Sequence, residues 1–215
     1  MKLQGILVCI WDFDGTLYKQ IPQLWDNIRE SEYHVIADHT GWPRAKVVEE
    51  FKKVYKVVTP SGTKSVSLIT GIPIPQAAQE MSGHTQYESY LHPDPELPRM
   101  FDALSAYTHY MLVNGSVASV ERGLSLLNVK KEYFSEIVTS DIVGESKPSL
   151  KGFEYIMSKT RLAPAAHLMI GDREPVDLAP AKSVGMKTCL VWSDVAGTIA
   201  DVTLHTVYAL TDVLG

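Results

Sequence analysis

The chain has 215 residues, 45% of them apolar and 21% charged, and a formal net charge of −5. That length suits one domain carrying an insertion or two modest domains, and that composition excludes a disordered or collagen-like chain. No cluster of Lys and Arg supplies the counterion release that drives nucleic-acid binding, and the mild acidity argues against an anionic membrane surface.

In chain order, the first apolar run, Ile6 to Trp11, is predicted to be a buried strand. It is too short for a signal-peptide core or a membrane span. The two cysteines, Cys9 and Cys189, both lie in such runs and read as small core hydrophobes of a reducing compartment, so a cytoplasmic protein is expected. From about Tyr18 to His92 the pattern turns helical. Its clearest helix carries Val47, Val48, Phe51, Val54, Tyr55 and Val58 at spacings of three and four, with Pro43 near its start and Thr59-Pro60 ending it. The segment Pro93-Asp94-Pro95-Glu96-Leu97-Pro98 reads as a stiff connection back to the sheet.

Beyond it, apolar runs at Tyr110–Val113, Ile137–Thr139, Leu168–Ile170 and Thr188–Trp192 alternate with helical faces. Val117, Val120, Leu124 and Leu127 share one face; Leu150, Phe153 and Met157 share another, on a helix expected to start near Pro148. Gly185 stands where a cap should end a helix over 177–184. This alternation predicts an α/β fold, a doubly wound parallel sheet with a helical insertion, and places functional groups at the carboxyl ends of the strands.

Those ends carry the chemistry. The first strand runs into Asp12-Phe13-Asp14-Gly15-Thr16, where two carboxylates at i and i+2 can face the same way and Gly15 permits a sharp turn. Another run ends in Gly171-Asp172, with Asp177 five residues later. Carboxylates gathered at neighbouring strand ends repel unless a cation sits among them, and hard oxygen ligands left partly hydrated suit magnesium. Lys147, in Ser146-Lys147-Pro148, offers a point charge for a phosphate oxygen and an attacking carboxylate. Asn114, Gly115 and Ser116, after the strand ending at Val113, form a candidate phosphate cradle in front of a helix.

These four motifs, in this order, resemble those of the haloacid dehalogenase superfamily, whose phosphatases have a Rossmann-like core and, in one class, an inserted helical (C1-type) cap. The resemblance covers residues 1–18 and 93–215 as the catalytic core; 19–92 match the cap in position and general character. It implies a magnesium-dependent phosphohydrolase that cleaves a small phosphate monoester through an aspartyl-phosphate intermediate. Asp12 would be the nucleophile, Asp14 the general acid and base, and Lys147 the motif-three lysine. Asp172, Asp12 and the backbone carbonyl of Asp14 would hold Mg2+, and Asp177 would support the metal or the lysine. The implied partner is a small phosphorylated metabolite, such as a sugar phosphate, a nucleotide or a phosphoglycolate-like ester. A phosphomutase, or a weakened relative serving as a binding module, is the alternative. Dehalogenases of the superfamily usually lack an acid where Asp14 stands. One departure is Val113, where the family's phosphatases carry Thr or Ser.

The remaining features have ordinary readings. The seven histidines show no metal-ligand spacing and are expected at surfaces or in local hydrogen bonds. Trp25, Trp42, Tyr55 and Tyr87 are assigned to the core of the insertion ahead of a substrate pocket, and Arg173 and Glu174 to a loop beside the site.

Overall fold

A computed structural model describes residues 2–58 and 61–214. Strand β1 (Val8–Trp11) leads into four helices, α1 (Pro22–Thr40), α2 (Arg44–Val57), α3 (Gly62–Thr70) and α4 (Ile74–His84). Then follow α5 (Glu96–Ala103), β2 (Thr108–Val113), α6 (Val117–Leu126), β3 (Phe134–Thr139), α7 (Ser140–Val143) and α8 (Lys151–Thr160). The chain closes with β4 (His167–Gly171), α9 (Ala179–Ser183), β5 (Lys187–Val191), β6 (Val202–Leu204) and α10 (Leu210–Leu214).

The six strands form one parallel sheet in the order β3-β2-β1-β4-β5-β6. Strand residues alternate between its two faces, as a period of two requires. Cys9, Trp11, Met111, Val113 and Ile170 enter one apolar cluster, whereas Val8, Ile10, Tyr110, Leu112 and Met169 enter the other. Because the chain leaves β1 toward β2 and β3 and later returns to β4 on its other flank, the topological switch point lies beside β1.

The four helices after β1 carry an apolar cluster of their own, built from Tyr33, Ile36, Val47, Phe51, Val66 and Met81 among others. Arg122 of α6 ties this layer to the sheet by donating to the carbonyls of Ser82 at 3.1 Å and Thr85 at 2.7 Å. No helix among the described residues is long and apolar enough to cross a membrane. Cys9 and Cys189 are both free and buried, and burial pushes both thiols far up from their ordinary pKa.

Several boundaries differ from expectation. The helix expected near Pro148 begins at Lys151, because residues 146–149 form a turn closed by Ser149 N donating to Ser146 O at 3.0 Å. Asn114 clamps that turn from across the sheet, accepting from Lys147 N at 2.6 Å and donating to Lys147 O at 2.9 Å. The stiff connection after His92 is shorter than expected, since α5 already starts at Glu96, whose amide bonds the Asp94 carboxylate at 2.9 Å. A wide π-type turn over Glu174–Leu178 precedes α9, and Gly185 follows with φ of 88°. The expected end of α2 at Thr59-Pro60 lies outside the described residues.

Candidate active site

Strand order brings the sequence motifs together. Asp12 follows β1, Asn114 follows β2 and Asp172 follows β4, and β1 lies between the other two. Two close approaches demand glycine. Gly15 has φ of 77°, and a Cβ there would fall 2.5 Å from Asp172 Oδ2; one on Gly171 would fall 2.6 Å from the Asp177 Cβ.

At the centre, the Lys147 ammonium lies 2.8 Å from Asp12 Oδ1 and 2.6 Å from Asp177 Oδ1. All three side chains are essentially buried. Burial pulls the Lys147 pKa down, yet the charges of Asp12 and Asp177 outweigh it and the net shift is upward. Asp177 uses its second oxygen to accept from the Arg173 amide at 3.2 Å, so both of its oxygens are engaged. Asp12 Oδ2 and Asp172 Oδ1, by contrast, are buried with no hydrogen-bond partner.

Oxygens of Asp12, Asp172 and Asp177 lie within 4.8 Å of one another. Burial, then the charges of Asp12 and Asp177, lifts the Asp172 carboxyl to about 8, and burial followed by Asp12 raises Asp177 as well. Upward shifts of this origin reflect desolvation first and mutual repulsion second, and a hard divalent cation offsets both. The orphaned oxygens of Asp12 and Asp172 are of the type that holds magnesium, so these residues fit the ion.

Asp14 is partly exposed and accepts hydrogen bonds from two phenols. Tyr18 donates to its Oδ1, and Tyr87 reaches both oxygens at 3.1 Å. Burial, assisted by the charge of Asp12, lifts the Asp14 carboxyl to about 6, while the phenols pull it down.

The proposed cradle is divided in its roles. Asn114 and Gly115 line the cleft beside Val113, but the Asn114 amide is bonded on both sides to the Lys147 backbone. Ser116 is 2% exposed and caps α6, its hydroxyl accepting from Ser119 N at 3.2 Å.

Four residues at the site were not assigned to it from sequence. Tyr18 and Tyr87 hold Asp14; Trp25 of α1 and Arg173 line the cleft with Asp12 and Asp14. Trp25 therefore faces the cleft, where the core of the insertion was expected, while Trp42 and Tyr55 do pack against that core. Tyr18 carries a weak local signal, one helical turn after Asp14; Tyr87 carries none. Among the histidines, His109 is buried and accepts from Trp11 Nε1 at 3.1 Å, and burial lowers its pKa.

Residues 6–185 match the haloacid dehalogenase-like hydrolase family. The fold is similar to that of a HAD phosphatase from Thermococcus onnurineus, with a TM-score of 0.66 at 21% identity over 98% of each chain. It is also similar to a 2-haloacid dehalogenase from Pseudomonas syringae, at 0.61 and 17% over 97% of each chain. Glyceraldehyde 3-phosphate phosphatases of Methanothermobacter thermautotrophicus and Pyrococcus furiosus are 36% identical over 62 residues and 38% over 61. Those stretches are 29% and 28% of this chain, and they span only 27% and 25% of the relatives. Phosphatase and dehalogenase share the architecture, so fold alone does not choose the chemistry. The family match, by contrast, runs from β1 through the motif after β4: the chain belongs to the haloacid dehalogenase-like hydrolases.

Proposed function

We propose that this hydrolase is a magnesium-dependent phosphatase that cleaves a small phosphate monoester through a phosphoryl group carried on Asp12. Residues 1–18 and 93–215 are its catalytic core, and 19–92 are a helical cap that selects the substrate. One observation carries the reading. Lys147 clamps Asp12 to Asp177, one oxygen each of Asp12 and Asp172 is buried and uncommitted, and Asp14 shares the cleft with Asp12. The phosphatase names of the partial relatives agree with it.

In this reading Lys147 orients Asp12 and offsets negative charge on the phosphoryl group. Asp12 attacks phosphorus in line, breaking the ester bond, while the Asp14 carboxyl gives its proton to the departing oxygen. Asp14, now a carboxylate held by Tyr18 and Tyr87, takes a proton from water as the water displaces Asp12. Burial favouring its acid form and phenols favouring its anion leave Asp14 able to exchange a proton near neutrality. Asp12, Asp172 and the backbone carbonyl of Asp14 would hold magnesium, which when bound neutralises charge on the transferring group. Phosphate release from p-nitrophenyl phosphate that needs magnesium tests the proposal; no release with the ion present would end it.

Asp172→Ala should raise the magnesium concentration for half-maximal activity by about 10-fold or more, because one of few protein ligands is lost. Calorimetric titration with magnesium alone gives a second reading of the same loss. An unchanged requirement in both measurements would remove Asp172 from the metal site.

Val113→Thr should increase turnover by roughly 10-fold, since it adds a donor facing the transferring group at little change in volume. The neighbours supply it only in part: the Asn114 amide commits its oxygen and one of its two N–H groups to the Lys147 backbone, and the Ser116 hydroxyl caps α6. Steady-state kinetics on one aryl phosphate decides this, and a flat or reduced rate would count against it.

A further inference from the structure

Resting on the phosphatase reading, we propose that Arg173 selects the leaving group: the substrate is a small phosphate monoester whose departing alcohol bears a second oxyanion, docked on this guanidinium.

Arg173 lines the cleft that also holds Asp12 and Asp14, with Trp25 and Ile28 of α1 and Thr63 of α3 lining it too. It stands one residue beyond Asp172, and its backbone amide is anchored on Asp177, so the start of the side chain is fixed. The guanidinium carbon lies 5.5 Å from the centre of the Trp25 ring. An aromatic ring covers the face of a guanidinium, whereas its donors radiate in the plane, where they remain free for a carboxylate or phosphate.

No group among the described residues accepts a hydrogen bond from that guanidinium. Arg173 Nε is buried without a hydrogen-bond partner, and its separation from Asp172 Oδ1, 3.9 Å, is beyond hydrogen-bond length. The nearby buried acid of the helical layer, Glu32, bonds Arg29 at 2.5 Å through one oxygen; it feels the charge of Arg173 but accepts no hydrogen bond from it. Lys147, the other cation at the site, is held by Asp12 and Asp177. Arg173 thus combines a fixed base, a covered face and an unsatisfied donor on the wall of the cleft that holds Asp12 and Asp14. A guanidinium whose side chain is 25% exposed but whose Nε is buried and unpaired gains more from an oxyanion than from a neutral alcohol.

The test compares kcat/KM for three sets of esters with p-nitrophenyl phosphate as the common reference. The sets are carboxylated esters such as phosphoglycolate, short alkanediol bisphosphates, and uncharged-alcohol esters such as glyceraldehyde 3-phosphate and ethyl phosphate. The wild-type enzyme should favour one acidic set over the neutral set by roughly 10-fold or more, the preferred set identifying carboxylate or phosphate. Arg173→Met should lower that acidic-to-neutral ratio by about 10-fold, and Arg173→Lys, which keeps charge but not the planar fork, by about 3-fold.

Wild-type enzyme that turns over the aryl phosphate but prefers neutral esters would overturn the assignment of Arg173 alone. Equal losses on all three sets in Arg173→Met would do the same, since the arginine would then serve the transferring group. If Arg173→Met does not fold, an unaltered ratio in Arg173→Lys overturns it. Failure of the wild type on the aryl phosphate with magnesium would overturn the phosphatase reading and this inference with it.

Discussion

Asp12→Asn is expected to reduce phosphate release by at least about 1,000-fold, because an amide oxygen cannot serve as the attacking carboxylate and nothing nearby can replace it. Asp177 is held by Lys147 and by the Arg173 amide, and Asp172 lies after the neighbouring strand. The fold should survive. Asparagine has nearly the same shape, and Lys147 keeps Asp177 at 2.6 Å as its counter-charge. Steady-state kinetics paired with a thermal melt measures both outcomes. Beryllium fluoride should add to the wild-type carboxylate and not to the amide, which mass spectrometry under native conditions can read. A variant turning over within 10-fold of wild type, as a rough limit, would end the covalent mechanism.

Lys147→Met should be damaging in two ways. Removing the one ammonium that joins Asp12 to Asp177 takes away their hydrogen-bonded counter-charge and leaves only the Arg173 guanidinium to offset them, a change that costs about 3–5 kcal/mol in comparable buried pairs. It also removes a preorganised positive charge from the transferring group, for a further rate loss of about 100-fold or more. The stability loss has a pH signature. Asp177 is already shifted upward by burial and by Asp12, and without Lys147 it rises further. The folded state then binds more protons than the unfolded state, so stability increases as pH falls toward the unfolded carboxylate range and declines as pH rises. Denaturant melts of wild type and variant near pH 5 and 8 should show the larger deficit at the higher pH. A deficit independent of pH would mean that lost packing, not uncompensated charge, sets the cost.

Much of the site was legible in the sequence because it sits at the ends of buried strands. Apolar runs interrupted by Asp12, by Asn114 and by Asp172 mark where parallel strands stop, and side chains at such ends converge whatever the details of the helices. Alternation of strand and helix gave the doubly wound class for the same reason. The edge strand β6 escaped notice: its three residues, Val202, Thr203 and Leu204, are too few to show a period, and pairing with β5 is what makes them a strand.

What the sequence by itself determined, then, is the set of acids, the lysine and the strand ends that carry them. These are local matters, settled by spacing and by the burial of short apolar runs. The tertiary structure alone decided the partners: the Asn114 clamp on the Lys147 turn, Tyr87 reaching Asp14 from the far end of the helical insertion, and Trp25 covering Arg173. Each joins segments that are remote along the chain. Their meeting depends on how helices and strands pack, and a one-dimensional pattern carries information on which face is buried but not on which side chain lies opposite.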